Sequence, residues 1–148
     1  MSGKLLSLLI AAFSGAAMAF QGTLNTAQAK VIGLLEATFV VHLVGLAFVS
    51  LLLFVPGLGQ GKLSLLGQAP LYTYLGGVLG VIIIYCVARS IPVVGVAPAT
   101  TSIILGQILT ATIIDHFGLF GMEKLQFSWY RVGGTLLMAC GAWLLLRK

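Results

Sequence analysis

Residues Val31–Val55 read VIGLLEATFVVHLVGLAFVSLLLFV, an apolar run interrupted by one carboxylate and one imidazole. An α-helix rises about 1.5 Å per residue and the hydrocarbon core of a bilayer is about 30 Å thick, so about 20 apolar residues make one crossing. The run is therefore predicted to be a transmembrane helix. Further stretches of similar character are Leu5–Ala29, Leu71–Ala88, Ala99–Phe117 and Trp129–Leu146. The sequence predicts an all-α polytopic membrane protein with five transmembrane helices in a single domain, residues 1–148.

The composition excludes a soluble domain. Hydrophobic residues make up 59% of the chain and charged residues 7%, and the mean hydropathy is +1.12. The net charge of +5 comes from basic residues placed singly at predicted helix ends. Such residues anchor helices at the membrane surface, so the bilayer is an expected partner and nucleic acid is not. Cys86 and Cys140 lie inside apolar stretches, away from any CxxC or histidine-rich spacing, so neither a metal site nor a cofactor is expected.

Basic residues divide evenly between the two membrane faces of the predicted five-helix arrangement. The face of the N-terminus carries Lys4, Lys62, Lys124 and Arg131, and the opposite face carries Lys30, Arg89, Arg147 and Lys148. An excess of Lys and Arg in short loops normally sets the orientation of a membrane protein, whereas Asp and Glu count little. Because four residues stand against four, the sequence predicts that copies of the chain insert in both orientations.

The connections between the predicted helices differ in character. Lys30 and Gly33 flank a very short first turn, and Gly57–Lys62 forms the most flexible loop. The segment Ser90–Pro98 separates the third and fourth helices but is itself apolar, so it could be a half-buried re-entrant segment as easily as a surface turn. The string Ala17–Ala19 resembles a signal-peptide cleavage site, but apolar character continues past it, and we expect the first helix to be retained.

The 19 glycines of the chain point to close contacts between helices. Helices in lipid gain little from burying apolar surface against one another, so packing depends on small residues that let two backbones approach. Small residues recur on single faces of the third, fourth and fifth helices: Gly76 and Gly80; Ser102, Gly106 and Thr110; Gly134 and Gly141. We expect these faces to pack within the subunit, and an additional contact with another subunit is a further interpretation of them.

Polar side chains form a stripe along the first helix. Ser7, Ser14, Gln21 and Gln28 recur at seven-residue intervals, and Asn25 lies on the same side. A polar side chain in hydrocarbon needs a hydrogen-bond partner, so this face is expected to look into protein or water. Hydrogen bonds between helices explain the serines. For the larger Gln21 and Asn25, interhelical bonding and the lining of a transport pathway are equally good interpretations.

Ionisable residues inside a predicted span are functional-site candidates, because burying them is costly. Glu36 lies about one turn inside the second helix, where the helix dipole also favours a carboxylate, so a functional role and a surface position are weighed equally. His42 lies close to mid-membrane and is either a neutral imidazole bonded to a neighbouring helix or a proton relay. Their six-residue separation places them on different sides of the helix and matches no metal-ligand spacing. Gln107 falls at the middle of the fourth helix.

Several strings are similar to those of one family: QGTLN at residues 21–25, EATFVVHLVG at 36–45, GQ at 106–107 and DHFG at 115–118. They resemble the YdcZ family of bacterial inner-membrane proteins, part of the drug/metabolite transporter superfamily, and the resemblance covers the whole chain in order. That family occurs as single five-helix proteins, as gene pairs and as fused ten-helix proteins. The resemblance therefore implies an antiparallel pair, similar to the small multidrug resistance proteins, formed with a second inverted copy or with a sister protein.

The charge balance and the resemblance together predict an antiparallel homodimer that moves a small solute across the inner membrane by alternating access. Gln21, Asn25, His42 and Gln107 are expected to shape the site, and Glu36 to act as the gate or the residue that couples transport to an ion gradient. No residue pattern identifies the substrate. A passive channel and a structural partner of another membrane protein are the alternative functions. An enzyme is not expected, because the sequence shows no nucleophile–base pair, metal cluster or phosphate-binding loop.

Overall fold

The structure is a computed structural model that describes residues 3–59, 61–126 and 128–147, and all regular structure within them is helical. The long helices are α1 (Gly3–Ile32), α2 (Leu34–Leu53), α3 (Leu75–Val94), α4 (Val96–Phe117) and α5 (Trp129–Leu146), and short 3₁₀ segments lie at Leu63–Gln68, Leu71–Tyr74 and Leu119–Gly121. All five helices are long and apolar enough to cross a membrane. The predicted fold class, all-α with five candidate transmembrane helices, is therefore confirmed. Lys148, which the charge count included, lies outside the described residues.

A single glycine joins α1 to α2. Gly33 has φ 100° and ψ 155°, a conformation that is essentially restricted to glycine. Its N–H donates to the Ala29 carbonyl at 3.0 Å, and its own carbonyl accepts from the Ala37 N–H at 3.0 Å. The residue therefore completes the last turn of one helix and begins the first turn of the next. α1 and α2 contact one another beyond this junction, in agreement with the very short first turn that the sequence predicts.

The predicted nine-residue linker at Ser90–Pro98 is wrong in its extent, because α3 and α4 are also joined by a single glycine. α3 continues through Pro92, and α4 begins at Val96. Gly95 has φ 94° and ψ 165°, and its carbonyl accepts a hydrogen bond from the Ala99 N–H at 3.2 Å. A helix satisfies its own backbone hydrogen bonds, which an irregular apolar segment at membrane depth cannot do. This explains why the apolar segment is helical in spite of its prolines.

The chain divides into two compact units, Met1–Val93 and Val94–Lys148, here called the N-terminal and C-terminal units. In the N-terminal unit α1 approaches α3 closely at Gly22. A Cβ added there would lie 2.8 Å from Val87 Cγ1 and 3.2 Å from Ile91 Cδ1, so a side chain larger than hydrogen would force these α3 side chains to shift. The assignment of residues 1–148 to one domain stays a prediction.

The C-terminal unit is a pair of helices in contact, α4 and α5, with the connection between them folded against α4. Gly118 ends α4 in the left-handed conformation, with φ 62° and ψ 39°. The Leu125 N–H then donates to the Asp115 carbonyl at 2.8 Å. This bond holds Leu125 beside the last turn of α4.

Few side chains are buried in the described chain. The buried apolar residues are Ala37, Ala88, Ile91, Ala99 and Ala142, and no large side chain is fully buried. Leucine, isoleucine and phenylalanine side chains lie mostly on the outside. In lipid this arrangement is favourable, because hydrocarbon tails are as apolar as the side chains and the helices pack through small residues.

The small-residue faces predicted from the sequence are mostly open within the described chain. A Cβ added at Gly80 would lie 3.6 Å from the His42 imidazole, which shows one close contact between α2 and α3. A Cβ added at Gly76, Gly106, Gly134 or Gly141 would meet no atom within 4 Å. Within the separate units, the expected packing is therefore found at Gly80, and for Gly76, Gly106, Gly134 and Gly141 it stays a prediction.

Candidate functional site

The predicted site residues are divided between the two units. Gln21, Asn25, Glu36 and His42 belong to the N-terminal unit, and Gln107 belongs to the C-terminal unit. The side chains of Gln21, Glu36 and Gln107 are exposed, His42 is half-buried, and Asn25 is buried. Of these five residues, Glu36 and His42 line one cavity, which Gln21, Asn25 and Gln107 do not. The assignment of all five residues to a transport site stays a prediction.

A cavity open to the outside runs along α2. It has a volume of about 500 Å³ and is lined by Leu35, Glu36, Thr38, Phe39, Val40, His42 and Val81. We call it the α2 groove. Glu36 and His42 both line it although they are six residues apart, so the sequence interpretation that separated them around the helix understated their relation. Positions 35, 38, 39 and 42 follow the spacing of one helical face, a signal that the sequence does contain.

The orientation of His42 is fixed by one hydrogen bond. Its Nδ1 lies 2.8 Å from the Thr38 carbonyl oxygen. A carbonyl oxygen can only accept, so Nδ1 carries the hydrogen and donates it, and in the neutral ring Nε2 keeps its lone pair. Nε2 faces α3, where the absence of a side chain at Gly80 leaves room beside it, since an added Cβ would lie 3.6 Å away. The imidazole therefore offers an acceptor at the boundary of α2 and α3.

Glu36 lies in the first turn of α2, and its carboxylate folds back over Gly33. A Cβ at Gly33 would overlap the Glu36 Oε2 atom, so the glycine provides the space that the carboxylate occupies. No Lys, Arg or His side chain forms a salt bridge with Glu36 among the described residues. The dipole of α2 favours a negative charge at this end of the helix. The groove therefore carries one carboxylate without a counter-ion from the described residues.

Asn25 is a buried residue whose side-chain amide can both donate and accept hydrogen bonds. Its exposed fraction is 7%. The neighbouring Thr26 hydroxyl donates to the Gly22 carbonyl at 2.8 Å, but no hydrogen bond reaches the Asn25 amide from the described part of the chain. No described side-chain nitrogen or oxygen is both fully enclosed and unpaired, so the Asn25 amide keeps some accessible surface. A water or a polar solute can therefore supply the missing hydrogen bond.

Residues able to hold a metal ion are scattered through the described chain. No group of three or more His, Cys, Asp and Glu side chains comes together within residues 3–59, 61–126 and 128–147. Cys86 and Cys140 are exposed and are not joined in a disulfide. Thr38, Phe39 and Val81 line the α2 groove and were missed by the sequence analysis. The contribution of Val81 depends on a contact between helices, which no spacing within one helix predicts.

Comparison with known proteins gives one result that covers nearly the whole chain. The model of the family described as "Putative inner membrane exporter, YdcZ" matches residues 6–144. Comparison with curated proteins and with solved structures finds no match. The match covers α2, α3 and α4 in full, most of α1 and α5, and every residue of the α2 groove.

Proposed function

This chain belongs to the YdcZ family of inner-membrane proteins, and from this premise we propose that it is a secondary transporter that moves a small solute by alternating access. The family description and the five apolar helices agree with a multi-pass protein of the inner membrane. A solute-binding site that opens alternately to the two sides of the membrane needs polar groups at membrane depth among otherwise apolar side chains. The α2 groove has this character.

The α2 groove is the observation that carries the proposal. It presents two acceptors, the Glu36 carboxylate and the His42 Nε2, among Leu35, Phe39 and Val81. The acceptors are six residues apart on one helix, a rise of about 9 Å. Apolar walls with few polar groups are typical of small-molecule sites. The solute that fits them is small and partly apolar, and it carries a cationic or hydrogen-bond-donating group.

The roles of the remaining site residues follow from their positions. Asn25 contributes a buried amide that a polar solute can pair with. Gln21 lies one turn away on α1 and is exposed. Gln107 is exposed on α4 and joins the site in the assembled transporter. Glu36 couples solute binding to an ion or proton, because it is the ionisable acid in the groove.

We propose that the working form is an antiparallel pair. The equal division of Lys and Arg between the two faces leaves the orientation of each copy undecided. The open glycine faces of α3, α4 and α5 allow close approach of another backbone. In an inverted pair, both copies contribute residues at the same depth, and rocking of one copy against the other exposes the site alternately. A sister protein in the opposite orientation would serve the same purpose as a second copy.

A binding screen on the purified protein tests the site. Small amines and their neutral analogues are compared by the thermal stabilisation that they produce, since a ligand that binds only the folded state raises the melting temperature. We expect amines to stabilise the parent, and Glu36→Gln and His42→Ala to lose that stabilisation. Glu123→Gln is the matched control, because it removes the same charge outside the groove. Equal stabilisation of parent and both groove variants would place the site elsewhere.

Uptake into proteoliposomes distinguishes a transporter from a passive channel. A stabilising amine is supplied outside vesicles that carry an imposed ion or proton gradient. We expect accumulation above the outside concentration, and loss of accumulation when the gradient is dissipated. Equilibration without accumulation under every gradient would establish a channel and contradict the proposal.

A further inference from the structure

A second cavity lies between α4 and α5, entirely within the C-terminal unit. It has a volume of about 410 Å³, and the lining residues that matter here are Leu109, Ile113, His116, Arg131, Thr135 and Leu136. We call it the α4–α5 groove. It shares no residue with the α2 groove and contains none of the residues predicted to form the transport site.

Polarity changes along the length of this groove. His116 lies in the last turn of α4 and Arg131 in the first turn of α5, so both are at the same end of the helix pair. Leu109 lies seven residues before His116, a rise of about 10 Å, and Leu136 lies five residues after Arg131, a rise of about 8 Å. The groove therefore has charged and polar groups at the helix ends and apolar walls toward the middle of the helices.

Most of the hydrogen-bonding capacity of Arg131 is available at this rim. Its Nη1 lies 3.8 Å from the Asp115 Oδ2, and the two side chains are 49% and 43% exposed. An exposed pair at that distance contributes little. A guanidinium carries five N–H donors in a planar fork that matches the oxygens of a phosphate. One long contact with a carboxylate leaves room for such a group.

We propose that the α4–α5 groove binds a phospholipid of the bilayer, with its phosphate at Arg131 and one acyl chain along the walls at Ile113 and Leu136. The helix ends are the level at which lipid phosphates lie in a membrane. The apolar walls begin directly beneath, which suits an amphiphile with its charge at one end. A free phosphate would use the rim alone, and an uncharged acyl chain would use the walls alone. The lipid uses both, and it fixes the spacing of α4 and α5.

Native mass spectrometry of the detergent-purified protein tests this assignment with three probes: dioleoylphosphatidylglycerol, dioleoylglycerol and inorganic phosphate. The second has the same chains without a phosphate, and the third has no chains. We expect the parent to bind the phospholipid about tenfold or more tightly than either other probe, the effect of a charge-assisted hydrogen bond added to apolar contact. Equal retention of phospholipid and dioleoylglycerol would contradict a role for the phosphate.

Three variants and one control separate the lipid from other occupants. Arg131→Gln is expected to bind the phospholipid only as well as dioleoylglycerol, and Thr135→Phe to exclude both by filling the groove. Asp115→Asn is expected to bind the phospholipid more tightly, because it removes the carboxylate that competes for Arg131. Arg89→Gln, an exposed arginine of the N-terminal unit, should bind like the parent.

Each variant is compared after size-exclusion chromatography confirms folded protein. Retention of the phospholipid by folded Thr135→Phe would overturn the proposal, as would unchanged binding in folded Arg131→Gln. If the groove is instead covered by a second copy, Thr135→Phe will dissociate the oligomer and the parent will show no preference for the phospholipid, which also overturns it. If Arg131→Gln does not fold, the opposite effects expected of Asp115→Asn and Thr135→Phe decide the outcome.

Discussion

The junctions at Gly33 and Gly95 are two versions of one arrangement. Residues 31–38 read VIGLLEAT and residues 93–100 read VVGVAPAT. Both glycines have φ near 100° and an extended ψ: the angles are 100° and 155° at Gly33 and 94° and 165° at Gly95. In both, the glycine carbonyl accepts a hydrogen bond from the alanine N–H four residues on. The two alanines, Ala37 and Ala99, are 1% and 4% exposed.

The difference lies in the residue three positions after each glycine. At the first junction this is Glu36, whose carboxylate lies over Gly33; at the second it is Pro98, whose Cδ would lie 3.6 Å from a Cβ at Gly95. Six residues further on, the first junction is followed by His42 and the second by Ile104. The same backbone arrangement is therefore charged in one place and apolar in the other. The comparison indicates that the backbone conformation requires the glycine and not the carboxylate.

The largest effect is expected from placing a side chain on each glycine. Gly33→Ala and Gly95→Ala both force a residue with a Cβ into a conformation that costs about 1–3 kcal/mol. Gly33→Ala should lower the melting temperature in detergent further, because its Cβ also overlaps the Glu36 carboxylate, whereas at Gly95 the nearest atom is in ordinary contact. Adding Glu36→Ala to Gly33→Ala should recover the difference. Equal destabilisation by the two single variants would show that the carboxylate is mobile enough to move aside.

The next largest effect is expected from replacing Glu36 with proline, the residue found at the matching position of the second junction. Glu36→Pro makes the first junction like the second, and the described backbone hydrogen bonds at the junction do not use the Glu36 N–H. We expect a folded protein with a melting temperature close to that of the parent and at least about tenfold weaker amine binding, the loss of one charge-assisted contact. Thermal-shift titration measures both quantities. An unfolded Glu36→Pro would show that the two junctions are not interchangeable.

A smaller effect is expected in surface labelling, where the labelled fraction of molecules should be about half of the maximum. If both junctions lie at one membrane face, Val31→Cys and Val93→Cys, each on a chain lacking Cys86 and Cys140, should react equally with an impermeant thiol reagent. If copies insert in both orientations, as the charge balance predicts, about half of each should be labelled from outside intact cells. Complete labelling of one variant together with protection of the other would place the junctions on opposite faces. Complete labelling or complete protection of both would indicate a single orientation.

The smallest effect concerns the threonines that follow the buried alanines. The Thr38 hydroxyl donates to the Leu34 carbonyl at 2.8 Å and the Thr100 hydroxyl to the Val96 carbonyl at 2.9 Å. Thr38→Ala and Thr100→Ala should each lower the free energy of unfolding by about 1 kcal/mol or less, and by similar amounts. His42 bonds to the backbone of residue 38 and not to its hydroxyl, so Thr38→Ala should also keep amine binding. Thermal unfolding and the same titration check both points.

The sequence was sufficient for the helices because a bilayer leaves few alternatives. A run of apolar residues at membrane depth must satisfy its own backbone hydrogen bonds, so length and hydropathy predict the five spans. The junction at Gly95 was not predicted, because Pro92 and Pro98 normally indicate a break. Pro98 instead occupies the first turn of α4, where the missing N–H has no consequence.

The candidate site was predicted in part, and the limit is set by contacts between helices. Glu36 and His42 stand out in the sequence as ionisable residues in an apolar run. The direction of the His42 lone pair depends on a bond to the Thr38 carbonyl and on the space at Gly80, and neither is visible in composition or spacing. The α4–α5 groove was missed for the same reason, since its rim joins residues from two helices and the connection between them.

The buried alanines limit the size of the side chains that can replace them. Among residues 3–59, 61–126 and 128–147, four of the five buried apolar residues are alanines, and the remaining one is Ile91. Outward leucines, isoleucines and phenylalanines can exchange freely with one another, since lipid accepts any of their shapes. Ala37, Ala88, Ala99 and Ala142 are 1–4% exposed, so a change to valine adds volume where the surroundings are already filled and is expected to destabilise the fold. At these positions the size of the side chain, more than its hydrophobicity, decides which residues are tolerated.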